Sequence, residues 1–246
     1  MKGVVLAGGL GTRLDPLTRI TNKHLLPVYN RPMIHYPIQT LIDADITEIL
    51  IVTGGNWAGD FLRLLGNGKE FGLKHIDYTY QDGEGGIAEA LSLSEHFADN
   101  DLMTVILGDN IIEGSIKPFV DEFKVQGCGA KILLKEVEHP ERFGVAELDG
   151  DRLLRIIEKP ASPPSQYAVT GMYMYDEDVF EIIRGLEPSE RGQLEITDVN
   201  NAYIQRGTMT YAVFDEWWTD AGTFESLYRA NERIAQKHIG KTSSSL

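Results

Sequence analysis

Lys2-Gly3-Val4-Val5-Leu6-Ala7-Gly8-Gly9-Leu10-Gly11-Thr12-Arg13-Leu14 passes from a short apolar strand straight into a loop with three glycines that an arginine closes. Glycines let the backbone turn sharply and bring bare N–H groups close to a ligand, because no Cβ intervenes. Such groups, backed by a cation, suit a polyphosphate. Two familiar templates do not fit. Leu14 stands where a dinucleotide fingerprint needs its third glycine, and no Gly-Lys-Ser/Thr follows as a Walker A loop requires. An ordinary strand-to-loop turn can share this composition; Arg13, with Lys23 shortly after, favours the phosphate reading.

Outward from this loop, the chain has 246 residues, 42% of them hydrophobic, enough for one large domain or two closely joined lobes. Its 23 basic and 37 acidic side chains leave a net charge of -14. That argues against binding nucleic acid or an anionic membrane, where a basic face supplies most of the affinity. Any small anionic substrate must then meet a local cluster of cations or a metal ion. Cys128 is the only cysteine, so no intrachain disulfide forms. The N-terminus has no secretory signal pattern, and no apolar run approaches the roughly 20 residues of a membrane span. The expectation is a soluble, cytoplasmic protein.

Apolar, β-branched runs at 4–6, 48–52, 76–80, 103–107 and 130–134 alternate with amphipathic patterns at 33–44, 57–65, 87–97 and 116–125. This alternation predicts an α/β fold with a Rossmann-like, mostly parallel sheet flanked by helices. Ligands in such sheets sit beyond the carboxyl ends of the strands, which gathers the loops at 8–13, 81–86 and 108–110 at one rim. From about residue 136 the pattern shifts to shorter strands at 144–148, 153–157, 168–175 and 209–214, with helices near 177–185 and 195–207. A last helix is predicted at 224–238, with Phe224, Leu227, Ala230 and Ile234 as its core-facing stripe. The polar tail at 242–246 is expected to be disordered.

Asp109, directly after a buried strand, is well placed to hold Mg²⁺ against phosphates, since magnesium takes few protein carboxylates; a turn-forming Asp-Asn pair is the plainer alternative. Asp220, just before the last helix, is a second candidate, and a helix-capping role competes equally. Arg13, Lys23, Lys159 and Arg191 are cations that could meet phosphates, although each taken singly also reads as a solvated surface charge. Glu158 could hydrogen-bond sugar hydroxyls, or simply end its strand. The six histidines show no paired ligand spacing, against a zinc site. No Gly-x-Ser-x-Gly elbow appears, and Cys128 has no evident base.

Taken together, these motifs resemble the sugar-nucleotide pyrophosphorylases over roughly residues 1–231, and within them the branch that transfers thymidylyl groups to glucose 1-phosphate. The signatures are the loop itself, Lys23-His24-Leu25-Leu26-Pro27, Leu107-Gly108-Asp109-Asn110, Arg142-Phe143-Gly144-Val145, Glu158-Lys159-Pro160, Tyr167-Ala168-Val169-Thr170-Gly171, the run from Arg191 to Asn200, and Trp218-Thr219-Asp220-Ala221-Gly222-Thr223. The resemblance implies a single nucleotidyltransferase domain, with a nucleotide half at about 1–135, a sugar half at about 136–223 and the helix at 224–238. It implies that Leu6, Gly8, Gly9, Gly11, Thr12 and Arg13 hold dTTP, and that Gln81 and Gly86 read the thymine. Asp109 and Asp220 would bind Mg²⁺. Lys159 and Arg191 would grip the sugar phosphate, with Asn110, Gly144, Glu158, Val169 and Thr170 around glucose. Arg13, Lys23 and Asp109 would be catalytic, the products dTDP-glucose and pyrophosphate, and the enzyme a homo-oligomer. Another base or sugar, or a non-catalytic sugar-nucleotide-binding subunit, remains as an alternative.

Two departures stand out. Many members carry Gln where this chain has His24, and prolines where it has Asp82-Gly83-Glu84-Gly85. Longer members add helices that build a regulatory nucleotide site, so the expectation here is that dTDP-sugars inhibit only by competing at the active site.

Overall fold

The computed structural model describes residues 1–243. The chain opens with β1 (Lys2–Ala7), a hairpin of β2 (Pro27–Val28) and β3 (Arg31–Pro32), α1 (His35–Asp43), β4 (Glu48–Gly54), α2 (Ala58–Leu65), β5 (His75–Gln81), α3 (Ile87–Ser92), α4 (Glu95–Ala98) and β6 (Met103–Leu107). Then follow β7 (Asn110–Ile112), α5 (Lys117–Gln126), β8 (Ala130–Glu136), β9 (Gly144–Asp149), β10 (Arg152–Glu158) and β11 (Tyr167–Tyr175). The chain continues with α6 (Asp178–Arg184), α7 (Ile196–Arg206), β12 (Met209–Val213), β13 (Trp218–Asp220) and α8 (Phe224–Ser243).

One sheet carries the molecule. Its order is β10-β9-β11-β6-β1-β4-β5, with β8 paired to β11 and β12. β6, β1, β4 and β5 are mutually parallel, while β11 runs antiparallel to β6, β8 and β9. The apolar runs of β1, β4 and β6 have little polar alternation because both faces are covered. Val4, Leu6, Leu50 and Val52 pack on one side with Leu91, Phe180 and Val199; Val5, Ala7, Ile49 and Ile51 pack on the other with Ile38, Phe61 and Val120. This is the period-two division of a strand between two cores. A third core joins Leu26, Val28 and Met33, around the β2–β3 hairpin, to Leu227, Ala230 and Ile234 of α8. Burying Leu227 and Ile234 contributes about 2 kcal/mol each, which clamps α8 over the hairpin.

Three boundaries differ from expectation. The helix expected at 87–97 is broken into α3 and α4, where the fully buried Ser94 turns its hydroxyl back to the Leu91 carbonyl at 2.6 Å; such side-chain bonds compete with the helical ladder. The last helix continues past residue 238 to Ser243, so Thr242 and Ser243 are helical, and the rest of the expected tail lies outside the described residues. Asn110 begins a strand rather than completing a turn: β7 pairs antiparallel with β13, placing Asn110 opposite Asp220. No helix among the described residues is long and apolar enough to cross a membrane.

Candidate functional site

The carboxyl ends of β1, β5 and β6 open onto a cleft of about 720 Å³, whose far wall is formed by β9, β10, β11 and the segment before α7. Leu6, Gly8, Gly9, Gly11, Thr12 and Arg13 line one side of it, with Gln81 and Gly86 beside them. Gly8 has no room for a side chain, because a Cβ there would lie 2.3 Å from Gln81 Oε1. The loop is thereby pressed against the end of β5, and Gln81 is held nearly buried on the cleft wall.

Lys23 sits in a short 3₁₀ turn that the Asn22 side chain caps by accepting from the His24 N–H. Its ammonium reaches Asp109 Oδ2 at 2.6 Å. Asp109 is 6% exposed, and Asn110 Nδ2 donates to its other oxygen at 3.1 Å. Burial opposes charge on Asp109, yet the Lys23 contact wins and holds the carboxyl well below the usual carboxylate range. Asp220 behaves oppositely. Burial and then the charge of Asp109 push it up to about 6, against the pull of Arg142, Arg13 and Lys23. Asp109 raises the cost of ionising Asp220, and this pair of carboxylates with cations around it could hold a hard divalent ion. Among the described residues no group of three or more His, Cys, Asp or Glu side chains forms a fuller metal cage.

Arg13 belongs to the same cluster. A Cβ on Gly222 would meet Arg13 Nη2 at 3.1 Å and Asp109 Oδ2 at 3.3 Å. The bare Gly222 backbone therefore leaves the guanidinium its place beside the carboxylate. His24 does not reach into the cleft as a free polar group. It is 2% exposed, its Nδ1 donates to Asn22 Oδ1 at 2.8 Å, and burial with the neighbouring Lys23 charge lowers its pKa to about 3.

On the opposite wall Glu158 ends β10. Thr197 Oγ1 donates to it at 2.8 Å, Lys159 lies 3.0 Å away and Arg191 3.7 Å away. Arg191 also pairs with Glu195 at 2.9 Å. Gly144, Val169 and Asn110 line the cleft between the two walls. Asn110 Oδ1 accepts from the Gly171 N–H and from Trp218 Nε1, at 3.0 and 2.6 Å. Thr170 is the one expected sugar contact that does not reach the site. It is fully buried and its hydroxyl donates to the Leu133 carbonyl at 2.8 Å. Period two explains this: Val169, Gly171 and Tyr173 face the cleft, so Thr170 faces away.

Several lining residues escaped the sequence reading. Arg142 stands 3.9 Å from Asp220 and adds a fifth cation; it lies in the Arg142-Phe143-Gly144 motif, which is the signal that pointed to it. Phe143 packs on Trp218 with ring centroids 5.2 Å apart, forming an aromatic wall. Tyr173 lies on the floor, where burial and then the charges of Glu158 and Asp109 push its phenol up and keep it neutral.

The chain matches a family model described as nucleotidyl transferase over residues 2–237. It is 44% identical to a glucose-1-phosphate thymidylyltransferase of Neisseria meningitidis, covering 94% of this chain and 81% of that protein. It is 42% identical to one of Mycobacterium tuberculosis, covering 95% and 82%. A Bacillus anthracis protein solved in complex with a sucrose is 54% identical, with a TM-score of 0.91 over 94% of each chain. A UDP-glucose pyrophosphorylase complexed with UDP-glucose, 23% identical, shares the fold with a TM-score of 0.83, covering 96% of this chain and 98% of the other.

Proposed function

The chain belongs to the nucleotidyl transferase family, and on that footing we propose that it joins dTTP and α-D-glucose 1-phosphate into dTDP-glucose, releasing pyrophosphate. The observation that carries this reading is a single cleft in which Arg13, Lys23, Asp109 and Asp220 converge on one wall while Lys159 and Arg191 face them from the other. Residues from about 1 to 135 would hold the nucleotide, and those from about 136 to 223 the sugar.

The chemistry needs no enzyme nucleophile. An oxygen of the sugar phosphate, already ionised near neutral pH, forms a bond to the α-phosphorus of dTTP as the bond to the β-phosphate oxygen breaks in line. Glycine-loop N–H groups and Arg13 would hold the triphosphate, and Arg13 and Lys23 would balance the charge that gathers between the α- and β-phosphates. Lys159 and Arg191 would bring in the sugar phosphate, with Glu158 and the Gly144 and Val169 segments around the ring. Asp109 and Asp220 would hold Mg²⁺, which when bound neutralises triphosphate charge. Gln81 would accept the N3–H of thymine through Oε1, and the Gly86 N–H would donate to a ring carbonyl.

Pyrophosphate release, measured for each nucleoside triphosphate against several sugar 1-phosphates, tests the reading. It is supported if dTTP with glucose 1-phosphate has the highest kcat/KM, and fails if another pair exceeds it. We take the protein to act in the cytoplasm, where nucleotide substrates are made, as a homo-oligomer; light scattering on the purified chain checks the latter.

A further inference from the structure

We propose that Glu89 selects the base without touching it, by fixing which end of the Gln81 amide faces the cleft. The proposal rests on the preceding reading, in which the nucleobase lies against Gln81.

A glutamine amide can present either an acceptor or a donor, and nothing in the residue itself decides which. Here the decision is made behind the cleft wall. Gln81 Nε2 donates to the Gly86 carbonyl at 3.1 Å and to a carboxylate oxygen of Glu89, one turn into α3. Both N–H groups are thus spent inside the protein. A carboxylate accepts only, so Glu89 draws the nitrogen end inward and cannot draw the oxygen end. Its carboxyl group lies close over Gly85, where a Cβ would come within 2.4 Å of it, so the bare glycine leaves room for the bond to Gln81. The remaining polar atom of the amide, Oε1, lies against Gly8 on the cleft side, with no donor to it among the described residues.

The cleft therefore meets the base with an acceptor from Gln81. Thymine and uracil carry an N3–H that matches it. Cytosine carries a lone pair at N3, so two acceptors would face each other, and desolvating them unpaired costs affinity. Cytosine could offer its N4 amino group only by sliding along the wall by one ring position, which would carry the ribose and triphosphate out of register with Arg13 and Lys23. Charge is not the essential property of Glu89; its acceptor is.

The test compares kcat/KM for dTTP and CTP in the wild-type chain, Glu89→Leu and Glu89→Gln, with calorimetric binding of each nucleotide in the absence of glucose 1-phosphate. Glu89→Leu removes one of the two acceptors that hold the nitrogen end inward and leaves the Gly86 carbonyl alone to orient the amide, and the dTTP-to-CTP ratio should fall about tenfold, the equivalent of one hydrogen bond. The fall should appear in binding as well as turnover, while KM for glucose 1-phosphate stays within about twofold. Glu89→Gln can still present an acceptor, and with the Gly86 carbonyl holding the nitrogen end of Gln81 it should retain most of the preference. A Leu variant that preserves the wild-type ratio overturns the proposal. So does a pair of variants that lose dTTP and glucose 1-phosphate binding together, since that reports general disruption of α3. A wild-type chain that does not prefer dTTP to CTP overturns both the proposal and the placement of the base on which it rests.

Discussion

On the wall proposed for the nucleotide the Lys23 side chain is 13% exposed and held at 2.6 Å by the nearly buried carboxylate of Asp109, whereas on the wall proposed for the sugar the Lys159 and Arg191 side chains are each 49% exposed and share the carboxylate of Glu158. The first arrangement is fixed before substrate arrives. Its charges are desolvated, and the low local dielectric lets them act strongly on a developing charge. The second is provisional. Its cations are solvated and loosely paired, so a sugar phosphate can draw them away from Glu158 at small cost, and Glu158 is left to its Thr197 bond and the sugar. On the proposed reading, the wall that would stabilise a transition state is built rigid, and the wall that would admit and release a substrate is built to exchange partners.

The sharpest break in this contrast is Asp109→Asn. It removes one carboxylate of the proposed metal pair and also strands the Lys23 ammonium, a buried partner loss worth about 3–5 kcal/mol. kcat at saturating Mg²⁺ should fall by about a thousandfold, the scale of losing a principal electrostatic stabiliser, and Tm should fall with it. Near-wild-type turnover would place the cation elsewhere. Arg13→Lys should lower kcat by about a hundredfold with little change in either KM, because the planar fork follows charge between two phosphates and a point charge does not. An effect confined to KM would put Arg13 with the provisional wall.

On that other wall, Lys159→Ala should raise KM for glucose 1-phosphate about tenfold through one charge-assisted contact, leaving the dTTP constant within about twofold. If the dTTP constant moves instead, the two walls have been exchanged.

A further effect concerns stability rather than turnover. His24 is held neutral by burial, with a pKa of about 3 against 6.5 for the free side chain. A depressed histidine gives its full stabilisation above pH 6.5 and loses it as the pH falls from there toward 3. The loss is about 1.4 kcal/mol per pH unit. His24→Gln, which removes the titrating ring, should flatten that slope. Chemical denaturation between pH 7 and pH 4 measures it, and parallel slopes for the two proteins would show that acid sensitivity lies elsewhere.

What was legible in the sequence follows length and burial. β1, β4, β6 and β8 each hold five or more residues and are packed on both faces, so their apolar runs stand out. β7 and β13 hold three residues each, too short for any alternation to show, and their pairing is what brings Asp220 to Asp109. The two aspartates could be named from their motifs, but their neighbourhood could not be derived from spacing. Thr170 was misplaced because a motif names residues without saying which side of a strand each faces. Glu89 sits in an unremarkable helical turn, and its link to Gln81 depends on how α3 leaves the end of β5.

The β7–β13 ladder has a consequence for synthesis on the ribosome. The glycine loop, Lys23 and Asp109 emerge early together with β1, β4, β5 and β6, which pair among themselves within the first 110 residues. Asp220 is made 110 residues after Asn110, the residue it pairs with, so that closure comes late in synthesis. A nascent chain that has completed its first half could therefore engage a nucleotide but would lack the second carboxylate. On the proposed reading, chemical competence would arrive only after Asp220 is made and paired, so truncated products of translation would be inert rather than unregulated.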